Sequence, residues 1–203
     1  MEQKTIVLPY TQKVIEPRAF KGCRELKSIV IPDTVEEIGE DAFEGTGLEE
    51  IVFPRELRKL GRMNGCYCNL RKLDFSKVRH LEEFPSVFLS SDTPELTELV
   101  LPIGVKKVGE GIDGNLKKLF LPPTVQVLDT LYQSNLDIYC FAPHVEKLSP
   151  MIDEYMEPGE DVVRLFVLPE YLEAYRAQQA AEGVSAEVLV IDVVPEYYRH
   201  CYD

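Results

Sequence analysis

One segment is written several times along this chain, and that repetition constrains the fold more than any single residue does. Residues 26–45 read Leu-Lys-Ser-Ile-Val-Ile-Pro-Asp-Thr-Val-Glu-Glu-Ile-Gly-Glu-Asp-Ala-Phe-Glu-Gly. The pattern Leu-x-x-Ile-x-Ile-Pro that opens it occurs at 26–32 and 48–54 and returns at 96–102 and 116–122. Weaker copies sit at 70–76 and 136–142, with a partial one at 6–9. The leading leucines Leu26, Leu48, Leu70, Leu96, Leu116 and Leu136 are separated by 22, 22, 26, 20 and 20 residues. A fixed period in the twenties predicts stacked coils, each too small to bury its apolar face alone.

The alternation of Leu26, Ile29 and Ile31 against Ser28 and Val30 has a period of two, which puts one set inside a short strand and the other outside. The proline after each strand cannot donate to a ladder and ends the pairing. Beyond it, Val35 and Ile38 are expected to turn inward, Gly39 to supply a bend, Ala42 and Phe43 to fill the far side, and Gly45 to close the coil. Phe20, Phe43 and Phe88 are expected to stack as a partial spine, with Ile112 and Tyr132 taking that place in later coils.

The outward positions form columns. Those after the leading leucines read Lys27, Glu49, Arg71, Thr97, Lys117, Asp137 and then Ser28, Glu50, Lys72, Glu98, Lys118, Ile138. Signs mostly alternate from coil to coil, which suits strand register, since opposite charges on neighbouring strands stabilise pairing modestly. A third column, Val30, Val52, Val100, Phe120 and Cys140, is apolar and broken by Asp74. Valines on a strand face satisfy β propensity; a continuous apolar stripe rimmed by charge is also a partner site. The expected partner-binding face is therefore Val30, Val52, Asp74, Val100 and Phe120, with an exposed Phe120 as its hot spot, because binding energy concentrates in a few central aromatic anchors.

The run Ala19-Phe20-Lys21-Gly22-Cys23-Arg24-Glu25-Leu26-Lys27-Ser28-Ile29-Val30-Ile31-Pro32, followed by Val35 and Ile38-Gly39, resembles the BspA-type leucine-rich repeat. The resemblance covers residues 6–148. Residues 136–143, and 165–169 with Glu173-Ala174-Tyr175, are similar to Bacteroides members, the latter to the motif closing their arrays. It implies a leucine-rich-repeat solenoid of the α/β class: a strand-rich right-handed superhelix with parallel strands on one face and short turns or helical pieces on the other. It also implies surface or secreted binding and adhesion proteins.

About six to seven coils are expected over residues 1–148, and a capping segment over 149–203. In the latter, residues 162–168 read as a strand, Pro169 can start a helix, Gly183 can end it, and 186–194 read as a final strand. Residues 89–95, rich in turn formers, read as a loop insertion that accounts for the spacing of 26. The tail after Pro195 carries Tyr197, Tyr198 and Tyr202, and is read either as a packed or frayed end or as a sticky aromatic patch. The chain enters directly in a repeat strand, leaving an open N-terminal edge for weak self-association.

The charge is −13, from 22 basic and 35 acidic residues, which argues against nucleic acid as a partner. No stretch is apolar enough for membrane insertion, and the start lacks the pattern of a signal peptide. That points to the cytoplasm or to a processed piece of an exported protein, whereas the resemblance implies the cell surface or secretion. The five cysteines, Cys23, Cys66, Cys68, Cys140 and Cys201, are odd in number and read as reduced; the resemblance implies that Cys23 and Cys66, each after a glycine, are small buried fillers. Cys66-x-Cys68 lacks the second pair a zinc site needs, and His80, His144 and His200 belong to no catalytic motif. No catalytic, metal-binding or cofactor-binding residue is expected. The expected function is a non-catalytic scaffold that binds a protein or a host or surface glycan; the alternative is a structural or self-associating module of a surface array.

Overall fold

The computed structural model of the 203-residue chain describes residues 4–62, 70–81, 84, 96–108, 115–128, 135–148 and 161–202. Main strands β1 (Lys4–Val7), β3 (Leu26–Val30), β5 (Glu50–Ile51), β7 (Lys72–Asp74), β8 (Glu98–Val100), β10 (Lys118–Leu121) and β12 (Asp137–Cys140) follow one another up the stack. Two-residue strands β2 (Val14–Ile15), β4 (Glu37–Ile38), β6 (Lys59–Leu60), β9 (Lys107–Val108) and β11 (Val127–Leu128) build a second wall. The C-terminal part adds β13 (Val163–Val167), the helix α1 (Leu172–Glu182) and β14 (Leu189–Val193). Every strand pair is parallel, so the fold is a parallel-strand solenoid.

The coil interior is built from the residues that the period picks out. Leu26, Ile29, Ile31, Val35, Ile38, Ala42 and Phe43 are all buried in one core that runs through the stack. Phe20 stacks on Phe43 with ring centroids 5.6 Å apart; the other expected spine members, Phe88, Ile112 and Tyr132, lie outside the described residues, as do the loop at 89–95 and the Cys66/Cys68 pair. Gly39 is not a bend. A Cβ there would fall 2.4 Å from the backbone nitrogen of Pro17 in the coil below, and one on Gly61 would fall 2.4 Å from that of Glu40. The glycines after Ile38 and Leu60 thus permit close coil-to-coil approach.

Among the described residues the main strands form two sheets, in the orders β1-β3-β5 and β14-β13-β12-β10-β8-β7. The ladder breaks between β5 and β7. The coils on either side still touch: Phe53 stacks on Phe75 at 3.9 Å, and the Arg79 amide donates to the Arg55 carbonyl at 3.2 Å.

The coil at Leu136 carries a register change. Lys118 pairs with Asp137 and Phe120 with Tyr139, so one residue is lost between the leading leucine and the strand, next to Asn135 in the left-handed region at φ 57. A one-residue slip exchanges the faces of a strand. Ile138 and Cys140 are therefore buried in the main core, which corrects their assignment to outward columns, and Tyr139 takes the outward place.

The helix α1 closes the stack with side chains. In the coils below, amides donate to carbonyls of the preceding coil, as Glu146 does to Gln126. On the last coil the Tyr175 hydroxyl donates to the Ala142 carbonyl at 3.1 Å, the Gln178 amide to that of Val145 at 2.9 Å, and Glu182 accepts from the Leu148 amide at 2.9 Å. These bonds satisfy backbone groups that another coil would otherwise pair. The helix ends at Gly183, left-handed at φ 69, as a glycine C-cap does.

Candidate functional site: the outer strand face

The outward column runs Val7, Val30, Val52 on the first sheet, then Asp74, Val100, Phe120, Tyr139, Phe166 and Asp192 on the second. Its two halves differ in surroundings. Val7, Val30 and Val52 are 66%, 50% and 58% exposed, whereas Val100 and Phe120 are 1% exposed. Expecting an exposed Phe120 was therefore incorrect. The alternation itself holds: Phe120 points away from the main core, into a separate cluster with Val100, Tyr139, Phe141, Val194 and Tyr202.

What buries it is the chain's own end. After Val194, whose amide donates to the Val167 carbonyl at 2.8 Å, residues 195–202 fold back over the column as a strap. Phe120, Tyr139 and Phe166 stack in succession at 4.5 and 4.9 Å with 12° between planes. Tyr198 stands edge-on to Phe120 at 4.9 Å and to Tyr139 at 4.7 Å. Lys118 Nζ donates to the Tyr198 hydroxyl at 2.8 Å, and the Tyr202 hydroxyl donates to the Phe120 carbonyl at 2.8 Å. Of the two readings of this tail, the packed one holds for Tyr202 and Tyr198, while Tyr197 is 76% exposed.

The boundary between the halves is polar. Lys72 bridges Asp74 at 3.2 Å and its strand neighbour Glu98 at 2.8 Å. Burial pushes the Asp74 carboxyl up, but the Ser76 side chain and amide and the Lys72 ammonium outweigh it and hold it below the usual carboxylate range. Further coil-to-coil ion pairs follow the alternating signs, Lys27 to Glu49 at 3.1 Å and Arg164 to Asp137 at 2.6 Å. They tie strands in register at the surface, a modest stabilisation. At the ladder break a groove of about 800 Å³ opens between the two strands, lined by Val52, Phe53, Lys72, Asp74 and Lys77 among others.

None of the three described cysteines has the surroundings of a site. Cys23, Cys140 and Cys201 are free thiols. Cys23 is exposed, which corrects its reading as a buried filler: the turn around it closes on backbone bonds, and Leu26 is the residue that enters the core. Cys140 lies 3.4 Å from the Tyr175 hydroxyl, and burial pushes its thiol up, the opposite of an activated nucleophile. Among the described residues no group of three or more His, Cys, Asp or Glu side chains is arranged to hold a metal ion, and no helix is long and apolar enough to cross a membrane.

A rigid stack of coils with one long strand face is a repeat scaffold. The family profile of the BspA type leucine rich repeat region (6 copies) matches residues 2–118, and the chain belongs to that family. Two solved structures are similar. One, a leucine-rich repeat protein from Bacteroides ovatus ATCC 8483, has 17% identity over 93% of this chain and 51% of its own, with a TM-score of 0.48. The other, a leucine rich cell surface protein from Faecalibacterium prausnitzii A2-165, has 15% identity over 98% of this chain and 62% of its own, with a TM-score of 0.37. The chain thus spans about half the length of the first and 62% of the second. No curated protein matches it.

Proposed function

We propose that the protein is a non-catalytic scaffold that binds a protein partner on the uncovered part of its strand face, through Val7, Val30 and Val52 and the groove beside Asp74. The supporting observation is the exposure of three valines in one column, Val7 paired with Val30 in parallel strands and Val52 directly after β5. Solvent gives an apolar stripe no stabilisation, and a partner that covers it gains hydrophobic free energy of about 25 cal/mol per Å² buried. Of the five residues first assigned to the face, Val30, Val52 and Asp74 belong to this open part; Val100 and Phe120 belong to the part beneath the strap.

The test is a comparison of variants. A protein cross-linked to the wild type should be lost with Val30→Asp and Val52→Asp and kept with Lys106→Asp, which lies outside the column. Loss with all three, or with none, counts against the face. A second reading is self-association, through β1, the first strand of its sheet among the described residues. Light scattering across a concentration series separates the two, since a constant monomer mass excludes self-association through that edge. Family membership also supports a cell-surface or secreted setting, which fractionation of the source cells tests.

A further inference from the structure

We propose that the covered half of the outer face is a binding site for a tyrosine-bearing peptide segment, filled in cis by residues 195–202, and that a partner protein's segment of the same chemistry binds there when the strap lifts. The occupant is read from the strap itself. It presents two tyrosines four residues apart, Tyr198 against the Phe120 and Tyr139 rings and Tyr202 against Phe141 at 5.1 Å. Each tyrosine also gives its hydroxyl a defined partner, Lys118 for Tyr198 and the Phe120 carbonyl for Tyr202. The site therefore favours an aromatic ring with a polar tip at both positions: a phenylalanine would lose the Lys118 bond at the first, and at the second one of two bonds to the Phe120 carbonyl, which also accepts from the Leu101 amide at 3.0 Å.

Three observations make the strap a ligand rather than part of the core. First, its cluster is separate from the main core, so lifting it does not open the solenoid. Second, Tyr202 is the one buried residue among 195–202; Tyr198 and Cys201 are half-buried, and Glu196, Tyr197, Arg199 and His200 are exposed. Third, the strap joins no sheet: its one regular element is a single turn at Glu196–Tyr198. A segment with no ladder pairing and mostly exposed residues opens locally before the domain unfolds. The face beneath does not depend on it for order, since Val100, Phe120, Tyr139 and Phe166 are fixed by strand pairing. Asp74 and Asp192 end the apolar column on either side of these four residues, which sets the length of segment the site accepts.

The probe is a synthetic peptide of residues 194–202 carrying Cys201→Ser and a fluorophore, titrated against the full chain by anisotropy. The tethered strap competes at a high effective concentration, so the wild type should bind the peptide weakly, and a full chain with Tyr202→Ala should bind it about tenfold or more tighter. A peptide with Tyr198→Ala and Tyr202→Ala should not bind, and Phe120→Ser in the chain should abolish binding, while Val52→Asp should leave it unchanged. The last arm separates this site from the open face, so either can fail alone. A folded Tyr202→Ala chain that binds the peptide no better than the wild type overturns the proposal. If Tyr202→Ala does not fold, hydrogen exchange on the wild type decides. The Tyr198 and Cys201 amides, both hydrogen-bonded within the strap, should exchange by local opening, at least about tenfold faster than amides of β10. Exchange of both at the β10 rate means that the strap opens only with the domain and overturns the proposal.

Discussion

Val30 and Phe120 occupy the same column of the same face, yet one is 50% exposed and the other 1%. Their coils are built alike, with an apolar strand, a following proline and inward Val35 and Ile38 in one, Val125 and Leu128 in the other. The difference comes from residues 195–202, which lie over the later coils and not over the earlier ones. Phe120 is covered by a residue 82 positions away in sequence. In a solenoid the inside of a coil is settled by its own repeat, whereas the outside is settled by whatever else the chain lays over it. The open half of the column is where we expect the scaffold's partner, and the covered half is where the strap shows which segment that surface takes.

The comparison can be broken in several ways. The largest effect is expected inside the coil. Phe43→Ala, at a fully buried position stacked on Phe20, should cost about 3–5 kcal/mol in urea unfolding. An unchanged midpoint would mean that the coil interior is not the source of stability on which the comparison rests.

Phe120→Ser should cost less, about 2–4 kcal/mol, because the strap can lift away rather than leave a sealed cavity. In a Tyr202→Ala background part of that cost should vanish, giving a coupling of about 0.5–3 kcal/mol between the two positions. Strict additivity would show that Phe120 is held by the sheet and not by the strap. Tyr202→Phe removes one hydroxyl and its 2.8 Å bond to the Phe120 carbonyl, and should cost about 0.5–1.5 kcal/mol. No change in thermal midpoint would discount that bond.

One pH effect is expected in the covered half, at Cys201. Burial, then the nearby Asp74 carboxylate, push the Cys201 thiol up to about 11 from an ordinary 9.0, with Lys72 opposing and Glu98 adding to the rise. A thiol raised in the folded state favours the docked strap fully below its unfolded pKa, and that contribution is lost as pH rises through the folded one. Strap docking should therefore weaken between pH 9.0 and about 11. The Val100 methyl resonances beneath the strap should shift over that window in the wild type and shift less in Cys201→Ser. Equal shifts in both would clear the thiol of any part in it.

The smallest effect is expected on the open half. Val30→Ser should change stability by no more than about 0.5 kcal/mol, as at other exposed sites. A loss comparable to that of Phe120→Ser would mean that the first sheet is covered too.

The coil follows from the repeat alone. A period in the twenties with leucine, isoleucine and proline at fixed places dictates a parallel stack, since no other arrangement buries that face of each strand. Its alternation named Leu26, Ile29, Ile31, Val35 and Phe43 as core, and the alternating signs of Lys27 and Glu49 anticipated a surface ion pair. It also held the slip at Leu136, for Leu136, Ile138 and Cys140 alternate with Asp137 and Tyr139, but fixed spacing from the previous leucine concealed it. Three matters were decided only by the tertiary structure. The glycines after Ile38 and Leu60 serve close packing rather than bending, which depends on the coil below. The ladder breaks between β5 and β7, which depends on how two coils meet. Phe120 and Val100 belong to a core of their own, because Tyr198 and Tyr202 return to them from a tail that follows no period. A repeat reports contacts within a coil and between successive coils; it carries no signal for a segment that arrives from outside the repeat, and such a segment decides which outward residues meet water.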